Sequence, residues 1–204
     1  MIPLSIPHLA GNEWKYVKEC LDTGWVSSAG SFVTQFENMV AEYAGAKYGI
    51  ACVNGTSGLH LTMHMFDVKL GDHLIVPNIT FIASANAASY TYANPIFIDV
   101  DPNTWQMDLD LLEEFLTNET ENKEGLTHLK STGKPIKAIM PVHVLGNMCD
   151  MPRLVEICKK YNIVVVEDAS ESLGSYYKGE HSGAFGDMGV FSFNGNKIIT
   201  TGGG

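Results

Sequence analysis

A lysine in a polar loop and an aspartate at the end of an apolar run are the side chains with the clearest chemical potential. Lys197 lies within Phe191-Ser-Phe-Asn-Gly-Asn-Lys-Ile-Ile-Thr-Thr-Gly-Gly-Gly204, and Asp168 closes the apolar run Val164-Val-Val-Glu-Asp. A lysine amine can hold the aldehyde of pyridoxal phosphate as a Schiff base, and a carboxylate can keep the pyridine nitrogen protonated. The pair therefore favours pyridoxal phosphate chemistry.

A small polar turn upstream is a candidate for binding a phosphate. Asn54-Gly55-Thr56-Ser57-Gly58 joins a predicted strand to a predicted helix. Free N–H groups at a helix start favour an anion, and Thr56 and Ser57 add two hydroxyls. The sequence is neither a Walker loop nor GxGxxG, so it does not support ATP or dinucleotide binding. A tight turn with a Thr or Ser cap explains the same residues.

Several of these residues have structural explanations that the sequence leaves open. Asp168-Ala-Ser-Glu171 fits an N-terminal capping pattern for a short helix, and a surface position is the commonest fate of a lysine such as Lys197. Phe81 is most simply a core aromatic at a helix start. His60 and His64 stand one helical turn apart, a spacing that can bind zinc, but no third ligand is evident, so we predict no metal site.

Composition and charge argue against several classes of protein. The chain has 204 residues, enough for one large α/β domain, and its net charge of −10 without a Lys/Arg cluster argues against nucleic-acid binding. No apolar run approaches transmembrane length. Arg153 is the only arginine, so an anionic substrate would find most of its cationic partners outside this chain.

The cysteines and the start of the chain predict a cytoplasmic protein. The first seven residues contain two prolines and no basic leader, so we expect no signal peptide. The four cysteines lack CxxC spacing and are predicted to be reduced core thiols. They are Cys20, Cys52, Cys149 and Cys158.

Apolar runs typical of strands alternate with helical periodicity along most of the chain. Helices are predicted after an N-cap at Ser31 and near residues 59–66, 81–89, 109–116 and 152–161. Strands are predicted at residues 48–53, 73–76, 95–99, 136–142, 163–167 and 188–193. Residues 117–134 are predicted to form a surface loop, with or without a short helix. Because several strands are continuous apolar runs, helices are expected to cover both faces of a mostly parallel sheet in one α/β domain.

With these motifs the chain resembles the DegT/DnrJ/EryC1/StrS sugar aminotransferases, which have the aspartate aminotransferase fold type. Ser192-Phe-Asn-Gly-Asn-Lys197 carries the most specific part of the resemblance, which extends over the whole chain through Asn12-Glu13, Gly24-Trp25-Val26-Ser27 and Phe36-Glu37. It implies that residues 1–204 are the pyridoxal-phosphate-binding large domain, a mostly parallel sheet flanked by helices. It also implies a small C-terminal domain beyond the glycine run, so residues 1–204 alone are expected to be inactive.

The resemblance implies a role for each candidate residue. Lys197 would hold pyridoxal 5'-phosphate and move the proton, while Asp168 would bond the pyridinium nitrogen. Phe81 would stack on the ring. Glu171 stands where many relatives carry Gln or His near the phenolic oxygen, which is a departure from the pattern. The residues implied at the cofactor phosphate are Gly55, Thr56, Ser57 and Ser192.

The implied reaction transfers an amino group from an amino-acid donor, by resemblance glutamate, to a keto-sugar carried on a nucleotide. The full-length enzyme would be a cytoplasmic homodimer of amino-sugar biosynthesis. One alternative is a sugar dehydratase of the same family, although those members generally replace the lysine at position 197 by histidine. The other is a non-catalytic binding or regulatory fragment of the same fold.

Overall fold

The computed structural model describes residue 2 and residues 6–204. Four residues of the segment on which the signal-peptide expectation rests lie outside the described residues, namely Met1, Pro3, Leu4 and Ser5. No helix in the described part of the chain is long and apolar enough to cross a membrane.

Helices and strands alternate over the described residues. The α-helices are α1 (Glu13–Thr23), α2 (Ser31–Ala44), α3 (Gly55–Met65), α4 (Ile82–Tyr90), α5 (Leu109–Glu119) and α6 (Met151–Tyr161). Three of them begin where a short polar side chain accepts backbone N–H groups of the first turn, at Asn54, Asp108 and Asp150. Ser31 was expected to be an N-cap, but it is the first residue of α2, and the extended Gly30 precedes it as N-cap.

The strands are β1 (His73–Pro77), β2 (Asn94–Ile98), β3 (Thr120–Lys123), β4 (Leu126–Leu129), β5 (Lys134–Ile139), β6 (Val164–Asp168), β7 (Tyr176–Tyr177), β8 (Glu180–His181) and β9 (Met188–Val190). The sheet contains five parallel strands in the order β2-β1-β5-β6-β9. This confirms the predicted α/β class with a mostly parallel sheet. Strands β7 and β8 form a separate antiparallel pair.

Helices cover both faces of this sheet, as the continuous apolar strands predicted. Within β1, Ile75 points to one core with Leu112 of α5 and Leu154 of α6. Its neighbour Leu74 points to a second core, which contains Leu59 of α3. The alternation along a single strand therefore divides the interior into two apolar layers.

The segment at residues 48–53, predicted to be a strand, is irregular and exposed in the structure. Tyr48, Ile50 and Val53 are 74%, 73% and 75% exposed. The backbone N–H of Ala51 donates to the side chain of Glu37 at 2.8 Å. The apolar pattern is present, but a strand also needs a partner, and this segment pairs with no strand among the described residues.

Residues 117–134, predicted to be a loop, hold the end of α5 and the hairpin β3–β4, which extends the sheet antiparallel to β5. Glu124 and Gly125 both have positive φ, as a tight hairpin turn requires. The usual sequence signals of such a turn are Asn-Gly, Asp-Gly and Gly-Gly, so the Glu-Gly pair did not mark the hairpin. The polar composition of β3 and β4 is typical of a loop, which is why the hairpin was not predicted.

Two of the four cysteines fit the prediction of core thiols. Cys149 and Cys158 are buried in the first core, where burial raises the pKa of each thiol to about 12. Cys20 is half-buried, and Cys52 is exposed in the irregular segment, so the prediction is wrong for Cys52.

Candidate active site

The carboxyl ends of β6 and β9 meet the start of α3 at one edge of the sheet. Asp168 is the last residue of β6 and pairs in register with Val190, the last residue of β9. A Cβ placed on Gly55 would lie 3.0 Å from the Cβ of Ser192 and 3.4 Å from the hydroxyl of Ser170. Three elements distant in sequence therefore converge at the edge where parallel sheets place their ligands.

Asp168 is buried, and its carboxylate has acceptor capacity to spare. It is 5% exposed. One oxygen accepts from the hydroxyl of Ser84 at 2.6 Å, and the other accepts from the backbone N–H of Ser170 at 3.2 Å. An ionised carboxylate can accept about four hydrogen bonds. The remaining capacity is available to a further donor such as a pyridinium N–H.

The alternative explanation of Asp168 as a helix cap is wrong, because residues 169–175 form turns and no helix. The backbone of Asp168 is instead held by residues 141–143, which follow β5. Its N–H donates to the carbonyl of Pro141 at 2.9 Å, and its carbonyl accepts from the N–H of His143 at 3.1 Å.

Lys197 is not a surface lysine. Its side chain is only 15% exposed, and its Nζ lies 3.3 Å from an oxygen of Glu171. The other oxygen of Glu171 accepts from the backbone N–H of Leu145 at 3.1 Å. Leu145 has a φ of 55°, which is uncommon outside glycine. Glu171 thus links the lysine to the turn that follows Asp168 and to a strained turn after β5.

The start of α3 has the features of an anion site. The Asn54 side chain accepts the N–H of Ser57 at 2.8 Å. The first N–H groups of a helix have no partner within the helix, so those of Gly55 and Thr56 are available to a ligand. The close approach of Ser170 and Ser192 to Gly55 adds hydroxyls and leaves little room for a side chain there.

Phe81 is the N-cap residue of α4 and is 70% exposed, so its explanation as a core aromatic is wrong. Ser84, which contacts Asp168, lies one turn further along the same helix. The start of α4 therefore brings an accessible aromatic ring to the region of the carboxylate.

Ser84, Ser170 and the buried His143–Glu167 contact were not predicted as parts of the site. Ser84 is fully buried, but the same alanine-rich helix also carries Asn86 and Ser89, so nothing in the sequence distinguishes it. The Nε2 atom of His143 lies 2.8 Å from Glu167. The local sequence contains no signal for this contact, because the two residues are 24 positions apart in the chain.

Other singled-out residues lie away from this edge. Arg153 binds Asp110 and Glu113 through contacts of 2.6 and 2.5 Å between α5 and α6. His60 and His64 approach each other on α3, with 2.9 Å between their Nε2 atoms. Among the residues that the structure describes, no group of three or more side chains is placed to hold a metal ion.

Comparisons with known proteins agree in one family. The sequence model of the DegT/DnrJ/EryC1/StrS aminotransferase family matches residues 7–204. GDP-perosamine synthases of Caulobacter vibrioides and Escherichia coli O157:H7 are 45% and 46% identical over 201 residues, 98% of this chain and 50% and 51% of theirs. A Streptococcus pneumoniae protein described as a sugar aminotransferase, solved in its PLP-form, has a TM-score of 0.82 and 29% identity, over 98% of this chain and 50% of that one. The chain spans about half the length of the curated relatives it matches.

Proposed function

The chain belongs to the DegT/DnrJ/EryC1/StrS aminotransferase family, and from this premise we propose that the protein aminates a nucleotide-linked keto-sugar with pyridoxal 5'-phosphate as cofactor. The amino donor in this proposal is an amino acid, glutamate. The observations that carry it are a buried carboxylate, Asp168, a sheltered amine, Lys197, that contacts Glu171, and the approach of Ser170 and Ser192 to the start of α3. The identity of 45% and 46% to two GDP-perosamine synthases supports a sugar nucleotide as acceptor.

The residues at this edge fit the proposed cofactor. The spare acceptor capacity of Asp168 suits a charged ring N–H, because a charge-assisted hydrogen bond in a buried place is strong. The start of α3 with Ser170 and Ser192 suits the phosphate, and the exposed ring of Phe81 suits stacking. When bound, pyridoxal phosphate supplies an aldehyde that condenses with amines and a ring that accepts the electron pair released at the neighbouring carbon.

The chain's own groups would then have distinct roles. The amine of Lys197 would hold the cofactor in the resting protein and, when free, would carry the proton from the reacting carbon to the carbon of the cofactor aldehyde. Asp168 would keep the proton on the ring nitrogen. Glu171, at 3.3 Å from Nζ, keeps the released amine of Lys197 within the site.

We also propose that residues 1–204 are the cofactor-binding large domain of a cytoplasmic homodimer. The proposed contacts to the cofactor all lie on elements of the described chain. Arg153, the only arginine, is bound to two carboxylates at the surface, which supports the proposal that most of the cationic groups for donor and nucleotide come from outside these residues. Buried thiols at Cys149 and Cys158 suit a reducing compartment.

Borohydride trapping tests the function and the site together. The purified full-length protein with pyridoxal phosphate should absorb in the visible, and reduction followed by peptide mapping should place the cofactor on Lys197. The product of a GDP-linked or dTDP-linked keto-sugar with glutamate should carry a new amine. A label on another lysine would refute the assignment of Lys197, and a deoxygenated product without an amine would support the dehydratase instead.

A further inference from the structure

We propose that Glu167 is a positioning residue, whose buried carboxylate fixes the two segments on either side of Asp168 and so sets where the Asp168 carboxylate meets the cofactor ring. The inference rests on the proposed function, since it concerns the same site. Glu167 and Asp168 are consecutive in β6, and both are buried.

The carboxylate of Glu167 is fully buried, and its capacity to accept hydrogen bonds is filled. Its exposure is 0%. One oxygen accepts from the backbone N–H groups of Phe185 and Gly186, and the other accepts from Gly183 N–H and from His143 Nε2, each at 2.8 Å. A buried carboxylate is costly unless donors surround it, so all four contacts must form together. Glu167 is therefore a rigid junction between three parts of the chain.

His143 connects this junction to one side of Asp168. The side chain of His143 is fully buried against Glu167. Its backbone N–H donates to the carbonyl of Asp168 at 3.1 Å, and the N–H of Asp168 donates to Pro141 at 2.9 Å. Because His143, one of the two residues that hold the Asp168 backbone, is itself held by Glu167, a shift of His143 moves Asp168.

The turn at residues 183–186 connects the junction to the other side. A Cβ on Gly189 of β9 would come within 2.5 Å of the Gly183 Cα, so this turn packs directly on β9. The carbonyl of Val190 in β9 accepts the N–H of Ala169 at 2.9 Å, immediately after Asp168. Glu167 thus fixes β9 beside Asp168 through three backbone donors.

Asp187 provides a control, because its exposed carboxylate also joins the chain near β9 to β6, but at the opposite end of β6. Its carboxylate accepts the N–H of Val165 at 2.9 Å, and its own N–H donates to the Val165 carbonyl at 2.8 Å. It ties the same two strands together but does not contact the residues that hold Asp168. Asp187 is exposed and Glu167 is buried, so the two variants are compared at the ring nitrogen and not in stability. If Glu167 only joined strands, neither substitution should change the protonation of that nitrogen.

The experiment compares Glu167→Gln with Asp187→Asn in the full-length protein. A glutamine amide at position 167 turns an N–H donor toward groups that are themselves donors, so the junction cannot close. The readouts are the dissociation constant of pyridoxal phosphate and the ¹⁵N resonance of its ring nitrogen, which reports whether Asp168 keeps that nitrogen protonated. Glu167→Gln should weaken binding by about tenfold or more, as is typical when a group that orients a ligand-binding residue is lost, and shift the resonance toward the unprotonated nitrogen. Asp187→Asn should keep both near the wild-type values while lowering thermal stability.

A second pair of variants covers the case in which Glu167→Gln does not fold. His143→Ala removes one donor of four and should give the same spectral shift in smaller measure, and His143→Gln, which restores an N–H donor, should recover part of it. A folded Glu167→Gln, or failing that His143→Ala, with wild-type affinity and resonance would overturn the inference. Wild-type protein that binds no pyridoxal phosphate would refute the proposed function itself, which is a separate outcome.

Discussion

The two ends of the parallel strands use polar side chains in opposite ways. At the amino end of β6, Thr127 donates to the carbonyl of Tyr161, and Asp187 accepts the N–H of Val165. These groups complete connections between elements. At the carboxyl end, Asp168 receives only two donors. The same type of group therefore joins elements at one end and keeps capacity for a ligand at the other. The difference lies in burial: Asp187 is exposed to water, whereas Asp168 is buried with unused acceptor capacity.

Removing the amine at the carboxyl end should have the largest effect. Lys197→Ala should abolish covalent trapping of the cofactor and lower transamination by about 10⁴-fold or more, because both attachment and proton transfer use Nζ. Lys197→Arg keeps a positive charge for Glu171 and serves as the control, which should be equally inactive. Turnover and borohydride labelling measure both. Activity in either variant would contradict the assignment.

Replacing Asp168 by a neutral residue should have the second-largest effect on activity. Asp168→Asn keeps a similar shape but cannot hold the proton on the ring nitrogen, so kcat should fall by about 10²–10³-fold, as on loss of a preorganised electrostatic contact. Circular dichroism should show an unchanged fold. Near-wild-type turnover would mean that this end of the sheet is as structural as the other.

Ser84 tests whether the donors to Asp168 matter individually. Ser84→Ala removes the 2.6 Å hydrogen bond and leaves the N–H of Ser170 in place, so kcat/KM should fall by about tenfold, in line with a hydrogen bond to a charged group. Alanine favours the helix, so α4 should persist. Ser89→Ala, at an exposed position of the same helix, is the matched control. Equal kinetics for the two variants would argue against a role for Ser84.

A substitution at the amino end of β6 should change only the stability of the fold, and its effect should be the smallest of the four. Thr127→Val leaves the Tyr161 carbonyl without its donor and should lower the free energy of unfolding by about 1 kcal/mol with turnover unchanged. Thr127→Ser keeps the hydroxyl and should recover most of the loss. Denaturant unfolding and steady-state kinetics would be compared. A fall in turnover without a fall in stability would contradict the proposed difference between the amino and carboxyl ends of the parallel strands.

The local parts of this protein were predictable from sequence. The continuous apolar run at residues 73–76 predicted a strand buried on both faces, and the structure places Leu74 and Ile75 in separate cores. Such predictions succeed because hydrophobic period and burial depend mainly on the side chains of one segment. The resemblance supplied Lys197 and Asp168 as a pair, and the structure places both at the carboxyl ends of the parallel strands.

The errors arose where a segment depends on a partner. Residues 48–53 have the composition of a strand but no strand to pair with among the described residues, while the polar residues 120–129 form strands because β5 offers them an edge. Pairing is a property of two segments, and neither sequence alone contains it.

The contacts that complete the site were decided by tertiary structure alone. Ser84 reaches Asp168 across 84 positions, and His143 reaches Glu167 across 24. Sequence determined which side chains have a suitable chemistry, because that is a property of each residue. Sheet order and helix placement decided which of them meet. They left Asp168 with free acceptor capacity while surrounding the adjacent Glu167 with donors, because neighbouring residues on a strand face opposite sides.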